Sequence, residues 1–305
     1  MTEPVISIRG LRKSYDELEA VSGIDLEVMP REIFAVLGPN GAGKTTTVEI
    51  LEGYRDRDGG EVSVLGVDPA RPTAAWRERI GIVLQNTTLE PALTVRESLQ
   101  QYAGYYSNPR DVDEVIALVG LEGQSGTRAR KLSGGQQRRL DVGIALVGDP
   151  DLLFLDEPTT GFDPSARRQA WEMIAGLREL GKTVLLTTHY MEEAQFLADR
   201  VAVIRAGKVV ALDTPGNLGD RRQLPTTITF SVADAIDLEP IKGVGQTQSH
   251  GPVENSLRPV TLTTHDAAGD LNRVTGWALE QGVELHQLEV RRPSLEDVYL
   301  ELTDP

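Results

Sequence analysis

Residues 38 to 45 read Gly38-Pro39-Asn40-Gly41-Ala42-Gly43-Lys44-Thr45, between an apolar run, Ile33 to Leu37, and a helix-compatible stretch that starts at Thr46. Strand, glycine-rich turn and helix in that order, with the G-x-x-x-x-G-K-[ST] spacing, make a phosphate-binding loop. The glycines let successive backbone N–H groups turn inward around an anion, and the helix points its positive end at the same charge. Lys44 can then reach the β- and γ-phosphates of a nucleoside triphosphate, and Thr45 can ligate Mg2+. The plainer reading is a turn that merely joins a strand to a helix. The G-x-G-x-x-G string of dinucleotide folds is absent.

At 305 residues the chain has room for a large core and more than one domain. Its net charge of -15 is not one acidic tail: 13 acids face 7 bases from Arg221 onward, and 33 face 24 before it. A chain so evenly acidic lacks the clustered Lys and Arg that hold a phosphate backbone, so no nucleic-acid partner is expected. With no cysteine, disulfides, thiolate catalysis and Cys-based metal sites are excluded. The start, Met1-Thr2-Glu3-Pro4, lacks the basic and apolar regions of a signal peptide, and no apolar run approaches the roughly 18 residues of a membrane span. A role at a membrane would need another chain to cross it.

Short apolar runs alternate with helical patterns up to about residue 215. The expected strands are Ile6 to Arg9, Ile24 to Val28, Ile33 to Leu37, Val62 to Leu65, Ile80 to Leu84, Leu152 to Leu155, Thr183 to Thr187, Arg200 to Arg205 and Lys208 to Asp213. Several are continuously apolar, as strands buried on both faces of a mainly parallel sheet should be. The fold class is therefore α/β. Between Pro91 and Gly148 helical periodicity replaces the strand signal, which predicts a helical subdomain over about 91–148. Turn-rich residues near 214–222 place a boundary between a domain 1–220 and a domain 221–305. The second reads as strand (Thr226 to Val232), short helix (Asp234 to Lys242), strands (Val244 to Gln248 and Arg258 to Thr264), helix (Ala267 to Gln281), strand (Val283 to Arg291) and helix (Ser294 to Leu302). That β-α-β-β-α-β order predicts a small α+β, ferredoxin-like sandwich.

Leu152 to Leu155 run into Asp156 and Glu157, two acids at the end of an apolar strand. Open α/β sheets bind ligands at the carboxyl ends of their strands. Asp156 is thus placed to support Mg2+, and Glu157 to act as general base on an attacking water. Gln85 and His189 end two further apolar runs; the first can coordinate metal or position water, the second can hydrogen-bond a γ-phosphate. A polar loop residue is the plainer reading of Gln85. Ser133-Gly134-Gly135-Gln136 precedes a helix expected over about Gln137 to Val147, so an N-capping serine and exposed N–H groups make a second candidate anion site. His250, His265 and His286 read as structural.

Taken together in this order, Gly38 to Thr45, Gln85, Leu132 to Gln136, Leu152 to Glu157, Gly161-Phe162-Asp163 and His189 resemble the ATP-binding cassette ATPases. They match the Walker A loop, Q-loop, signature motif, Walker B strand, D-loop and switch histidine, over residues 1 to about 215. The resemblance implies a P-loop NTPase with a RecA-like core, N-terminal antiparallel strands and a helical subdomain. It also implies a head-to-tail dimer, a homodimer or one with a paralogous cassette, in which each ATP lies between one phosphate loop and the partner's signature motif. By the same resemblance Tyr15 would stack on adenine and Asp163 would contact the partner subunit. Phe162 stands where the family more usually has Leu.

The tail Pro293 to Leu302 resembles that of daunorubicin and antibiotic-resistance exporter ATPases, which carry a small C-terminal domain. The expectation is an ATP-hydrolysing exporter subunit with ATP and Mg2+ as ligands. It would work at the cytoplasmic face of the membrane beside a separately encoded transmembrane permease. Two other readings remain: a cassette ATPase acting on ribosomes or DNA, and a non-hydrolytic nucleotide sensor.

Overall fold

The computed structural model describes residues 3–85, 89–218, 225–248 and 257–292. It divides into two compact units, Met1–Pro215 and Gly216–Pro305.

In the first unit a six-stranded sheet has the order β5 (Ile80–Val83), β6 (Leu152–Asp156), β7 (Thr183–Thr188), β3 (Ile33–Leu37), β8 (Arg200–Arg205), β9 (Lys208–Asp213). The first five run parallel and β9 returns antiparallel along β8. Every residue of β3, β6 and β7 is buried, which is why these strands read as unbroken apolar runs. A separate three-stranded antiparallel sheet, in the order β2 (Leu18–Val28), β1 (Ile6–Tyr15), β4 (Gly59–Val64), packs its inner face into the same core as Phe34 and Phe154. Strands β1 and β2 outrun their sequence expectation. The ladder between them shifts register after Ile8 and again near Leu11 and Lys13, and such bulges interrupt the alternation by which a strand is recognised.

Residues 91–148 hold α3 (Val95–Ala103), α4 (Val112–Leu118) and α5 (Gly134–Leu146), with no strand among the described residues. Each starts at a side-chain cap: Thr94 with Glu97, Asp111, and Ser133 with Gln136. Helix α5 therefore begins three residues earlier than the expected Gln137, because Ser133 is its N-cap. The remaining helices are α1 (Lys44–Leu51), α2 (Ala74–Glu78), α6 (Pro164–Glu179) and α7 (Met191–Leu197).

Among its described residues the second unit holds one antiparallel sheet and one long helix. The strand order is β11 (Gln246–Gln248), β12 (Leu257–Thr264), β10 (Thr226–Ala233), β13 (His286–Arg291), so the unit's third strand lies between its first and second. This is the split order of a ferredoxin-like sheet. Ile228, Phe230, Val232, Val260 and Leu262 line one face and pack with Val274, Trp277 and Ala278 of α8 (Ala267–Gln281). One expectation fails: Asp234 to Lys242 holds only a 3-10 turn, Glu239–Ile241, with Pro240 in its first positions. Proline cannot donate within a helix, and Gly243 follows at φ 96. The expected helix Ser294 to Leu302, the tail resemblance, His250 and linker residues 219–222 lie outside the described residues. Among the described residues no helix is long and apolar enough to cross a membrane.

Candidate functional site

Three loops meet at the carboxyl edge of the six-stranded sheet because β6, β7 and β3 are neighbours that run the same way. The register sets Leu37 beside Thr188 and Asp156 beside Thr187. Residues 38–43, the acid pair and His189 therefore leave the sheet at one level.

The phosphate loop is shaped by two tight approaches. A Cβ on Gly38 would lie 2.4 Å from the Ile204 carbonyl oxygen, and one on Gly43 would lie 2.3 Å from that of Ala20. Gly43 also holds φ 102 at the N-cap of α1, so only glycine fits there. The first turn of α1 carries no acid, and its positive end is left for an anion. Lys44 is buried and its Nζ donates to the carbonyls of Gly38 (2.8 Å) and Pro39 (3.2 Å). Burial lowers the pKa of this ammonium, while the carboxylates of Glu157 and Asp156 oppose the shift. Of the other loop residues, Ala42 is buried, Thr46 is half-buried, and Pro39, Asn40, Gly41 and Thr45 are exposed.

Asp156 closes β6 and accepts a hydrogen bond from Thr187 Oγ1 at its Oδ1. Glu157 then turns away at φ 44, a left-handed conformation uncommon for a residue with a side chain. Its N–H is held by the Thr187 hydroxyl (3.0 Å) and carbonyl (3.2 Å). The turn brings three residues onto its carboxylate. Gln85 Nε2 donates to Oε2 at 3.0 Å and Thr160 Oγ1 donates to the same oxygen at 3.1 Å. His189 Nδ1 lies 3.2 Å from Oε1, within ion-pair range once protonated but without the angle of a hydrogen bond. Thr45, Asp156 and Gln85 offer a hydroxyl, a carboxylate and an amide oxygen, a hard-donor set that suits Mg2+. Among the described residues no cluster of three or more His, Cys, Asp or Glu could cage a metal.

The second anion site is built differently. Ser133 Oγ accepts from the Gln136 N–H (3.3 Å) while Gln136 Oε1 accepts from the Ser133 N–H (2.9 Å), so both side chains are engaged in capping α5. Asp163 likewise caps α6, accepting from the N–H groups of Ser165 and Ala166 at 2.9 Å each. The two caps share a cavity of about 510 Å³ lined by Ser133, Gly134, Gly135, Gln136, Phe162 and Asp163, and no described residue of 38–46 lines it. Tyr15 ends β1, half-buried, with the Arg55 guanidinium 5.3 Å and Lys13 Nζ 5.6 Å from its ring centroid.

Several residues escaped sequence reasoning. Arg138 on α5 donates to main-chain carbonyls on both sides of Glu157. Glu193 at the start of α7 is fully buried and accepts from Thr159 Oγ1 (2.6 Å) and Trp171 Nε1 (2.9 Å). Glu52, just past α1, is pushed up to about 8 by burial, with Asp156 and Glu49 adding to the shift. Thr160, three residues past Glu157, was also missed, although its closeness in the chain offered a local signal. The others depend on which carbonyls and charges the fold brings near.

Residues 21–160 match the family model described as ABC transporter, and residues 226–294 match one for the C-terminal domain of ABC transporter domain-containing-like proteins. A daunorubicin resistance ATP-binding protein of Streptomyces coeruleorubidus is 36% identical over 313 residues, covering 99% of this chain and 97% of the relative. A Nod factor export ATP-binding protein I of Rhizobium etli is 38% identical, covering 98% and 93%. Among solved structures, the dimeric bacterial ABC transporter cassette MJ0796 superposes with a TM-score of 0.60 at 25% identity, covering 68% of this chain and 98% of that one.

Proposed function

This chain belongs to the ATP-binding subunits of ABC transporters, ATPases that couple hydrolysis to transport, and on that premise we propose that it powers an exporter of a hydrophobic, drug- or lipid-like substrate. It would act as a homodimer or with a paralogous cassette, at the cytoplasmic face of the membrane, beside a separately encoded permease. The observation that carries the catalytic part is the convergence of Gln85, Thr160 and His189 on the carboxylate of Glu157, next to Lys44. Export is supported by what relatives are named for, daunorubicin resistance and Nod factor export.

The residues divide the work. The backbone N–H groups of residues 38–45, Pro39 excepted, and the Lys44 ammonium hold the β- and γ-phosphates, and Tyr15 takes the adenine face. Thr45, Asp156 and Gln85 would hold Mg2+, which when bound would supply neutralisation of charge on the phosphate oxygens. Glu157 accepts the proton of a water whose oxygen bonds to the γ-phosphorus as the bond to the β,γ-bridging oxygen breaks. Gln85 orients that carboxylate, and His189, close enough to pair with it, also reaches the γ-phosphate. Ser133, Gly134, Gly135 and Gln136 complete the partner's site, with Asp163 beside them, which suits a cavity that no phosphate-loop residue lines. ATP bound at two such sites favours the closed dimer, and hydrolysis removes that bias.

Capture of tagged Glu157→Gln protein from detergent-solubilised host membranes, with and without Mg·ATP, tests this reading. Stoichiometric recovery of a polytopic membrane protein is expected. Recovery of ribosomes or DNA-repair proteins without one would contradict it.

A further inference from the structure

We propose that Arg138 is the positioning residue that holds Glu157 and Gln85 in their working geometry. It rests on Glu157 being the general base. Arg138 lies in α5 and is only 8% exposed. Its Nε donates to the Pro158 carbonyl (3.1 Å), its Nη2 to the Asp156 carbonyl (2.7 Å), and its Nη1 to the Leu84 carbonyl. Two of these carbonyls bracket Glu157 and the third immediately precedes Gln85. A single guanidinium thus joins the two chain segments whose side chains meet at 3.0 Å.

The arrangement has a physical reason. Glu157 occupies a left-handed conformation directly before Pro158, and strained backbone of that kind persists only when its surroundings hold it. Thr187 holds the N–H of Glu157; the peptide carbonyls on either side are held by Arg138. Only a planar fork of several N–H donors reaches three separated carbonyls from one buried position; a lysine ammonium places all its donors on one atom. Burial works against the guanidinium charge, and Asp141, one turn further along α5 with Oδ2 4.0 Å from Nη1, opposes that effect. Asp141 is itself buried, its Oδ1 has no hydrogen-bond partner, and burial pushes its pKa up to about 6 while Arg138 pulls it down. The pair is poorly explained as a stabilising ion pair, since a buried pair seldom outweighs its desolvation. It is well explained as the support of a strained catalytic turn. Gln85, Arg138, Asp141 and Glu157 all line one cavity of about 490 Å³, so a small cation can reach the place of a truncated Arg138.

The test is steady-state ATP hydrolysis, with ATP affinity measured separately, on the full chain and its Arg138→Ala, Arg138→Lys and Glu157→Gln variants. Arg138→Ala should lose about 10- to 100-fold in kcat, the scale set by a misplaced catalytic group, with ATP affinity changed by no more than about threefold. Arg138→Lys should fall between it and the parent. Millimolar methylguanidinium should raise the rate of Arg138→Ala several-fold, to roughly the Arg138→Lys level, and leave the parent unchanged. Parental kcat in both Arg138 variants, or loss of affinity in step with kcat and no rescue, would overturn the proposal. A parent no faster than Glu157→Gln would overturn the general-base reading and the positioning role together, whereas slow Arg138 variants require a fast parent beside them.

Discussion

The six-stranded, mainly parallel sheet of the first unit and the four-stranded antiparallel sheet of the second show how differently strands can serve function. In the parallel sheet β3, β6 and β7 are buried along their whole length, and their polar residues emerge together at one edge, where Lys44, Asp156, Glu157 and His189 gather. In the four-stranded antiparallel sheet β10 and β12 alternate, with Ile228, Phe230, Val232, Val260 and Leu262 turned to α8 and Thr227, Thr229, Thr261 and Thr263 turned away, while Thr264 lies on the buried face and donates to Asp270 of α8. That sheet concentrates apolar area on one face and gathers no comparable set of charged groups among the described residues. Parallel burial collects chemistry at strand ends, whereas alternation spreads polar groups along the strand.

Lys44→Ala gives the largest expected break between the two. It removes the one buried ammonium of the loop, and nucleotide binding should weaken by about 2–5 kcal/mol in calorimetry, with the thermal transition of the C-terminal unit unmoved. Unchanged affinity would count against the phosphate-loop account. Phe230→Ala inverts the experiment: it should cost the C-terminal unit about 3–5 kcal/mol, followed by Trp277 fluorescence in urea, while ATP hydrolysis stays within about twofold of the parent. A collapse of hydrolysis would show that the units do not act independently.

Glu52→Gln sharpens the contrast in pH. The Glu52 pKa is raised from 4.5 to about 8, so its stability contribution is complete below pH 4.5 and is lost as pH climbs through about 8. Glutamine has no such loss, and the variant should gain on the order of 4 kcal/mol relative to the parent between pH 5 and pH 8.5. Urea melts at the two pH values check it; parallel slopes would mean Glu52 does not titrate that way. Asp163→Ala is the smallest expected effect, about 1 kcal/mol of stability from the lost cap of α6.

Much of the cassette was legible because its candidate site residues follow apolar strands or open a helix. The glycines, Asp156, Glu157 and His189 sit where a parallel sheet delivers its ends, and Ser133 with Gln136 has the spacing of a capping box. Arg138 was not legible, because its partners are backbone carbonyls 20, 54 and 18 positions away, and a carbonyl carries no mark in the sequence. Glu52 and Glu193 look like ordinary acids at helix ends until the fold buries them. In the C-terminal unit the strand order could be inferred from element order, whereas the segment around Pro240 kept helical composition but formed only a 3-10 turn.

The central claim is that Glu157, held by Gln85, Thr160 and Arg138, is the base that activates water. Single-turnover phosphate release from Mg·ATP by the parent and by Glu157→Gln, with ATP affinity measured on both, tests it most directly. The account predicts affinity equal within about threefold and release slowed by at least about a hundredfold in the variant. Release at the parental rate would contradict it.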